Sequence, residues 1–151
     1  MKKIVFFLTI IVCFSCTKDI SFDVDCSAVS CLAPSITLEF LSKTTREDLF
    51  LNGTYTTSDL KIVNQINNEV VNYTIFPTDE SIIIYISNAV TKTELKDYKI
   101  YIPNAFEFRF KFEAELTDKN MCCPDTKIND LVVENTTYEV DNVFGTYKIL
   151  L

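Results

Sequence analysis

The chain has 151 residues, 23% of them charged, a formal charge of −7 and no histidine. That length suits one domain with a single core, and an acid excess without a basic cluster argues against nucleic acid as a partner. The missing histidine excludes Ser-His-Asp and Cys-His nucleophile systems, histidine-ligated zinc and the commonest general base.

The first segment, "MKKIVFFLTIIVCFSC", predicts an export signal. Lys2 and Lys3 precede an apolar run from Ile4 to Phe14 that is broken only by Thr9. At about eleven residues the run is too short for the roughly 20 that a bilayer-crossing helix needs. Ser15 and Cys16 follow, and the chain then turns polar and acidic in "TKDISFDVD". The "CFSC" ending resembles the lipobox of bacterial lipoproteins, and its "FSC" form is similar to lipoproteins of the Bacteroidota. Cys13 and Phe14 depart from the strict pattern, standing where Leu or Val and a small residue are usual.

The resemblance implies a signal peptide over residues 1–15 and acylation of Cys16. Residues 16–34 would be the lipidated cysteine and an acidic tether, and 35–151 the folded domain. It also implies a lipid-anchored position at the outer membrane, with the periplasmic or surface face left open. Lys18–Asp19 is the kind of pair that can accompany surface export in that group. Each buried acyl methylene contributes about 0.8 kcal/mol, so several chains hold where one holds only marginally. Cleavage removes two lysines and takes the formal charge from −7 to −9.

With export, the remaining cysteines enter an oxidising compartment. Cys26, Cys31, Cys122 and Cys123 allow three complete pairings. One would bridge Cys122 to Cys123, whose Cα atoms stand about 3.8 Å apart, below the usual disulfide range of about 4.4–6.8 Å. Both other pairings join "CSAVSC" to "MCCP", so two disulfides are expected to tie the N-terminal stretch to a late loop. A four-cysteine zinc site is disfavoured, because adjacent cysteines bite a tetrahedral ion poorly. No cofactor is expected.

From Pro34 onward the pattern is β. "SITLEFLS" places Ile36, Leu38 and Phe40 on one face, with Thr37, Glu39 and Leu41 on the other. "LFLNGTYT" carries the turn signal Asn52–Gly53. "DLKIVNQINNEVVNYTIF" predicts a hairpin turning at Asn67–Asn68, and "SIIIYIS" a central strand buried on both sides. "ELKDYKIYIP" sets Tyr98, Ile100 and Ile102 against Lys99 and Tyr101, and Pro103 stops it. "AFEFRFKFEAEL" is the strictest alternation, with Phe106, Phe108, Phe110 and Phe112 on one face and charges on the other. Each buried phenylalanine there could contribute around 2–3 kcal/mol. "DLVVEN", "TTYEV" and "GTYKILL" predict further strands. Only two glycines occur, which leaves many turns to asparagine. The expected fold is all-β: a single antiparallel β-sandwich with immunoglobulin-like Greek-key connections, though without their tryptophan.

Chemistry-bearing residues are few. Glu113 and Glu115 share a strand face at a spacing a glycosidase could use, but they read better as charges on a solvated face. Asp19, Asp23, Asp25 and Ser27 lack the glycine and closing glutamate of an EF-hand. The seven tyrosines include candidate platforms for a sugar or peptide, although most suit cross-strand packing. The expectation is a membrane-anchored envelope lipoprotein, not an enzyme, with a binding or structural role. Its partners would be the lipid bilayer, through the acylated N-terminus, and an envelope protein or glycan. Alternatives are capture of glycan or peptide for a transporter, and a carboxylate-based hydrolase.

Overall fold

A computed structural model describes residues 35–87, 93–117, 126–143 and 145–151. Among them the chain is nearly all β, with a β-sandwich-like arrangement of two sheets and one short 3-10 turn at Thr57–Asp59. In chain order the strands are β1 (Ser35–Leu41), β2 (Lys61–Asn64), β3 (Tyr73–Pro77), β4 (Ile82–Ser87) and β5 (Glu94–Ile102). Then follow β6 (Phe106–Leu116), β7 (Thr126–Glu134), β8 (Thr137–Asp141) and β9 (Thr146–Leu150). One sheet has the order β3-β4-β1-β9-β8 and the other β2-β5-β6-β7.

Alternation puts one side of each sheet into a shared core. Ile36, Leu38 and Phe40 of β1 and Ile84 and Ile86 of β4 face Tyr98, Ile100, Phe108, Phe110 and Phe112 of the second sheet. Rings lock the layers together. Phe40 meets Phe106 and Phe108 at centroid distances of 5.8 and 6.1 Å, and Phe110 meets Tyr147 of β9 edge to face at 5.4 Å.

Three expectations change. The sandwich is not wholly antiparallel, because β1 and β9 pair in parallel, Leu38 opposite Tyr147 through Leu41 opposite Leu150. Successive strands reverse direction, so β9, like every odd-numbered strand, runs the same way as β1. Placed beside it, β9 can pair only in parallel. The hairpin expected at Asn67–Asn68 does turn there, with Asn68 at φ 59, but β2 and β3 lie in different sheets. Their arms share one bridge, Val63 to Val70. Beyond it Tyr73 packs on the core and its hydroxyl lies within donating distance of both the Thr57 and Leu60 carbonyls, 2.8 and 3.0 Å, with one proton to give, and its strand joins β4. Strand β4 itself is interior to its sheet, yet only Ile84 and Ile86 are buried, while Ile83 and Tyr85 lie half-buried on the outer side.

Turn chemistry follows composition. Both glycines have positive φ, as do Asn68, Asn104 and Asn135. Asp130 (φ 50) sits where the β6–β7 register slips, a bulge that blunts the edge strand β7.

The segment between β1 and β2 is organised by Asp48, which is buried. Its carboxylate accepts the backbone N–H groups of Phe50, Leu51 and Ile82 at 2.8, 2.8 and 3.0 Å, tying the turn around Asn52–Gly53 to the start of β4. Removing the acceptor strands three donors, so Asp48→Ala is expected to lose about 2–3 kcal/mol of stability, and Asp48→Asn about half of that. Urea denaturation measures both. A loss below about 0.5 kcal/mol for the alanine variant would contradict this account.

Candidate functional site

The two outer faces differ. On the β2-β5-β6-β7 sheet, Arg109 pairs with Asp97, and Lys111 donates to Glu134 at 2.5 Å. The hydrogen bond from Lys111, with added attraction from Arg109, holds the Glu134 carboxyl below its ordinary value. Glu113 and Glu115 lie on this same face, with Glu115 accepting from the Asn129 amide at 2.9 Å. This is a charged strand surface in which cations and acids offset one another.

The outer face of the β3-β4-β1-β9-β8 sheet is hollowed. A groove of about 490 Å³ crosses it. Its floor comes from residues that alternate with the core positions: Thr37 and Glu39 of β1, Ile83 and Tyr85 of β4, and Thr146 and Lys148 of β9. The β3–β4 turn adds Thr78, Glu80 and Ser81 at one side, and β8 adds Asp141 at the other. Thr37 donates to the Gly145 carbonyl or the Thr146 hydroxyl, 3.4 and 3.2 Å. Lys148 Nζ stands 3.2 Å from Asp141 Oδ2 and 4.0 Å from Glu39 Oε2. Next to the groove, the half-exposed Phe76 ring packs against Tyr85 at 4.7 Å between centroids.

Burial raises the Glu39 carboxyl above the ordinary 4.5, with Asp48 and Asp141 adding to the rise and Lys148 opposing it. A group held above its unfolded value binds its proton more tightly when folded. The folded state therefore gains stability from Glu39 as pH falls into that window and loses it as pH rises through it. A carbon-detected NMR titration should place the Glu39 midpoint above 4.5. A midpoint at or below that value would mean that Lys148, not burial, dominates the site.

No protein-family model, curated protein or solved structure matches this chain. The groove must therefore be read from its own chemistry. Among the described residues no three Cys, Asp or Glu side chains converge as metal ligands, and no helix is long and apolar enough to cross a membrane.

Several expected sites fall outside the described residues: Cys16, Cys26, Cys31, Cys122 and Cys123, and with them Asp19, Asp23, Asp25 and Ser27. Of the seven tyrosines, Tyr85 lines the groove. Tyr98 is core, its phenol pushed up to about 12 by burial with Glu94 adding. Tyr55, Tyr73, Tyr138 and Tyr147 pack against the core, and Tyr101 lies beneath the Lys99 ammonium, 5.1 Å away. Sequence reasoning passed over Glu39, Asp141 and Lys148, each of which looked like an ordinary solvent-side residue of its own strand. Their convergence depends on β9 lying between β1 and β8.

Proposed function

We propose that this chain is a membrane-anchored envelope lipoprotein, held through an acylated Cys16, whose β-sandwich has a non-enzymatic binding role. The observation that carries the binding role is the groove. Its volume falls within the range of small-molecule sites, Ile83 and Tyr85 give it an apolar part, and Glu39, Asp141 and Lys148 converge within it. The anchor rests on the "CFSC" ending and the short apolar run before it. Immunoglobulin-like Greek-key connections are part of the reading. Their support is that the chain crosses between sheets from β1 to β2 and from β4 to β5, while β1 pairs with β4 and β2 with β5. Capture of a glycan or peptide for a neighbouring transporter is a specific form of this role.

Protease added to intact cells, beside a Cys16→Ala variant, tests the anchor and the address. Degradation without lysis is the outcome expected of a surface capture module, and protection until the outer membrane is opened that of a periplasmic partner. A Cys16→Ala protein that stays as firmly in the membrane fraction would overturn the lipoprotein reading.

One observation favours a second reading, a carboxylate-based hydrolase. The groove gathers Glu39, Glu80 and Asp141, and the Glu39 carboxyl is raised. Against it, Lys148 serves Glu39 and Asp141 as a shared counter-ion, and its attraction opposes the rise that burial gives the Glu39 carboxyl.

A further inference from the structure

The groove lies on the face of its sheet, and this limits what it can hold. Its floor strands β4, β1 and β9 are the three interior strands, each paired on both sides. Their backbone groups are spent in the ladders, so a peptide adding itself as a strand finds no edge here. Recognition falls to side chains. Glu39, Glu80 and Asp141, when ionised, can accept from donors on a ligand, Asp141 alongside the Val143 N–H and Lys148 that it already engages; Lys148 is a donor, and the Thr and Ser hydroxyls serve as either.

Three carboxylates against one lysine, on a chain of formal charge −7, repel phosphates, sulfates and acidic sugars. Beside this polar set, Phe76 remains half-exposed against Tyr85, the two rings tilted 55° to one another and offering aromatic surface at the groove's margin. An uncharged sugar has both halves of the complement. Its C–H face covers an aromatic ring, and its hydroxyls donate to carboxylates while accepting from an ammonium. The volume of about 490 Å³ suits a short oligosaccharide.

We propose that the groove binds an uncharged oligosaccharide, one ring resting on the Tyr85–Phe76 pair and its hydroxyls engaging Glu39, Asp141 and Lys148. This rests on the binding-module reading above and adds the class of ligand.

The test uses the full-length lipidated protein in a zwitterionic detergent, since sugar-headed detergents would compete. An array of uncharged oligosaccharides is screened, and the strongest is followed by calorimetry beside oligogalacturonate and hexalysine. Phe76→Ser removes a half-exposed ring from an edge strand, and Glu39→Gln keeps its shape. Each is expected to weaken saccharide binding at least tenfold, while Val132→Thr, exposed on the opposite sheet, changes it less than twofold. Oligogalacturonate is expected not to bind.

Saccharide binding untouched by both variants would move the site elsewhere and overturn the proposal. Binding of hexalysine alone, lost in the same variants, would overturn the ligand class and leave the binding module standing. Binding of no probe at all would overturn the ligand class. New reducing ends appearing during incubation would overturn the non-enzymatic reading itself.

Discussion

Replacing Phe110 with alanine is expected to cost about 3–5 kcal/mol, the range for deleting a buried aromatic ring. The side chain is fully buried and meets Phe112 at 5.8 Å within its strand and Tyr147 at 5.4 Å across the sandwich. The cavity would therefore open between the layers, where neither sheet can relax without the other. Domains of this kind are stable by only about 5–15 kcal/mol, so the variant should sit near the edge of folding. Phe106→Ala is the internal comparison. That ring is half-buried at the start of β6, touching Tyr55, Phe40 and Phe108, and its loss should cost roughly half as much. Chemical denaturation followed by far-UV circular dichroism reads both, with the slope unchanged if only stability moves. Equal losses, or less than about 1.5 kcal/mol for Phe110→Ala, would contradict the layered-core account.

Breaking the proposed cysteine ties should have an effect of similar size and an unusual pattern. Each proposed bridge closes a loop of about 90 residues, worth up to roughly 4–5 kcal/mol on the chain-entropy model. The two would close nearly the same loop, so the second adds little. Cys122→Ser or Cys123→Ser alone should therefore cost little, and the double variant most of the total. Strand directions agree with such a tie. Phe40, late in β1, meets Phe106 and Phe108, early in β6, so the beginning of β1 and the end of β6 lie toward the other end of the sandwich. From Ser35 back to Cys31 is a reach of at most about 14 Å, and from Leu116 on to Cys122 about 21 Å. Mass-spectrometric mapping of unreduced protein should find Cys26 and Cys31 each joined to Cys122 or Cys123. A Cys26–Cys31 bridge, or four thiols binding zinc, would end the argument.

Much of the fold was legible as strands. "AFEFRFKFEAEL" alternates so strictly that the pattern alone names its buried face, and Phe108, Phe110, Phe112 and Ala114 are all fully buried. The turn at Asn68 was legible for a related reason, since few residues other than glycine tolerate positive φ and the chain has only two glycines. Less legible was "SIIIYIS". A continuous apolar run reads as buried on both sides, and here Ile83 and Tyr85 face the groove instead. Periodicity reports which side of a strand is apolar. It carries no record of the strand beside it.

The groove shows the consequence. Thr37 and Glu39, Thr146 and Lys148, and Asp141 belong to three strands, and each reads alone as a polar position facing water. Local chemistry was enough to determine the β class, the faces of the alternating strands such as β1 and β6 and the phenylalanine core, because a strand's side chains alternate whatever its neighbours are. Tertiary structure decided the sheet order, the parallel β1–β9 pairing and the meeting of Glu39, Lys148 and Asp141. Those depend on which strands share an edge, and that is settled by burying all the apolar faces at once, across contacts between residues more than a hundred positions apart.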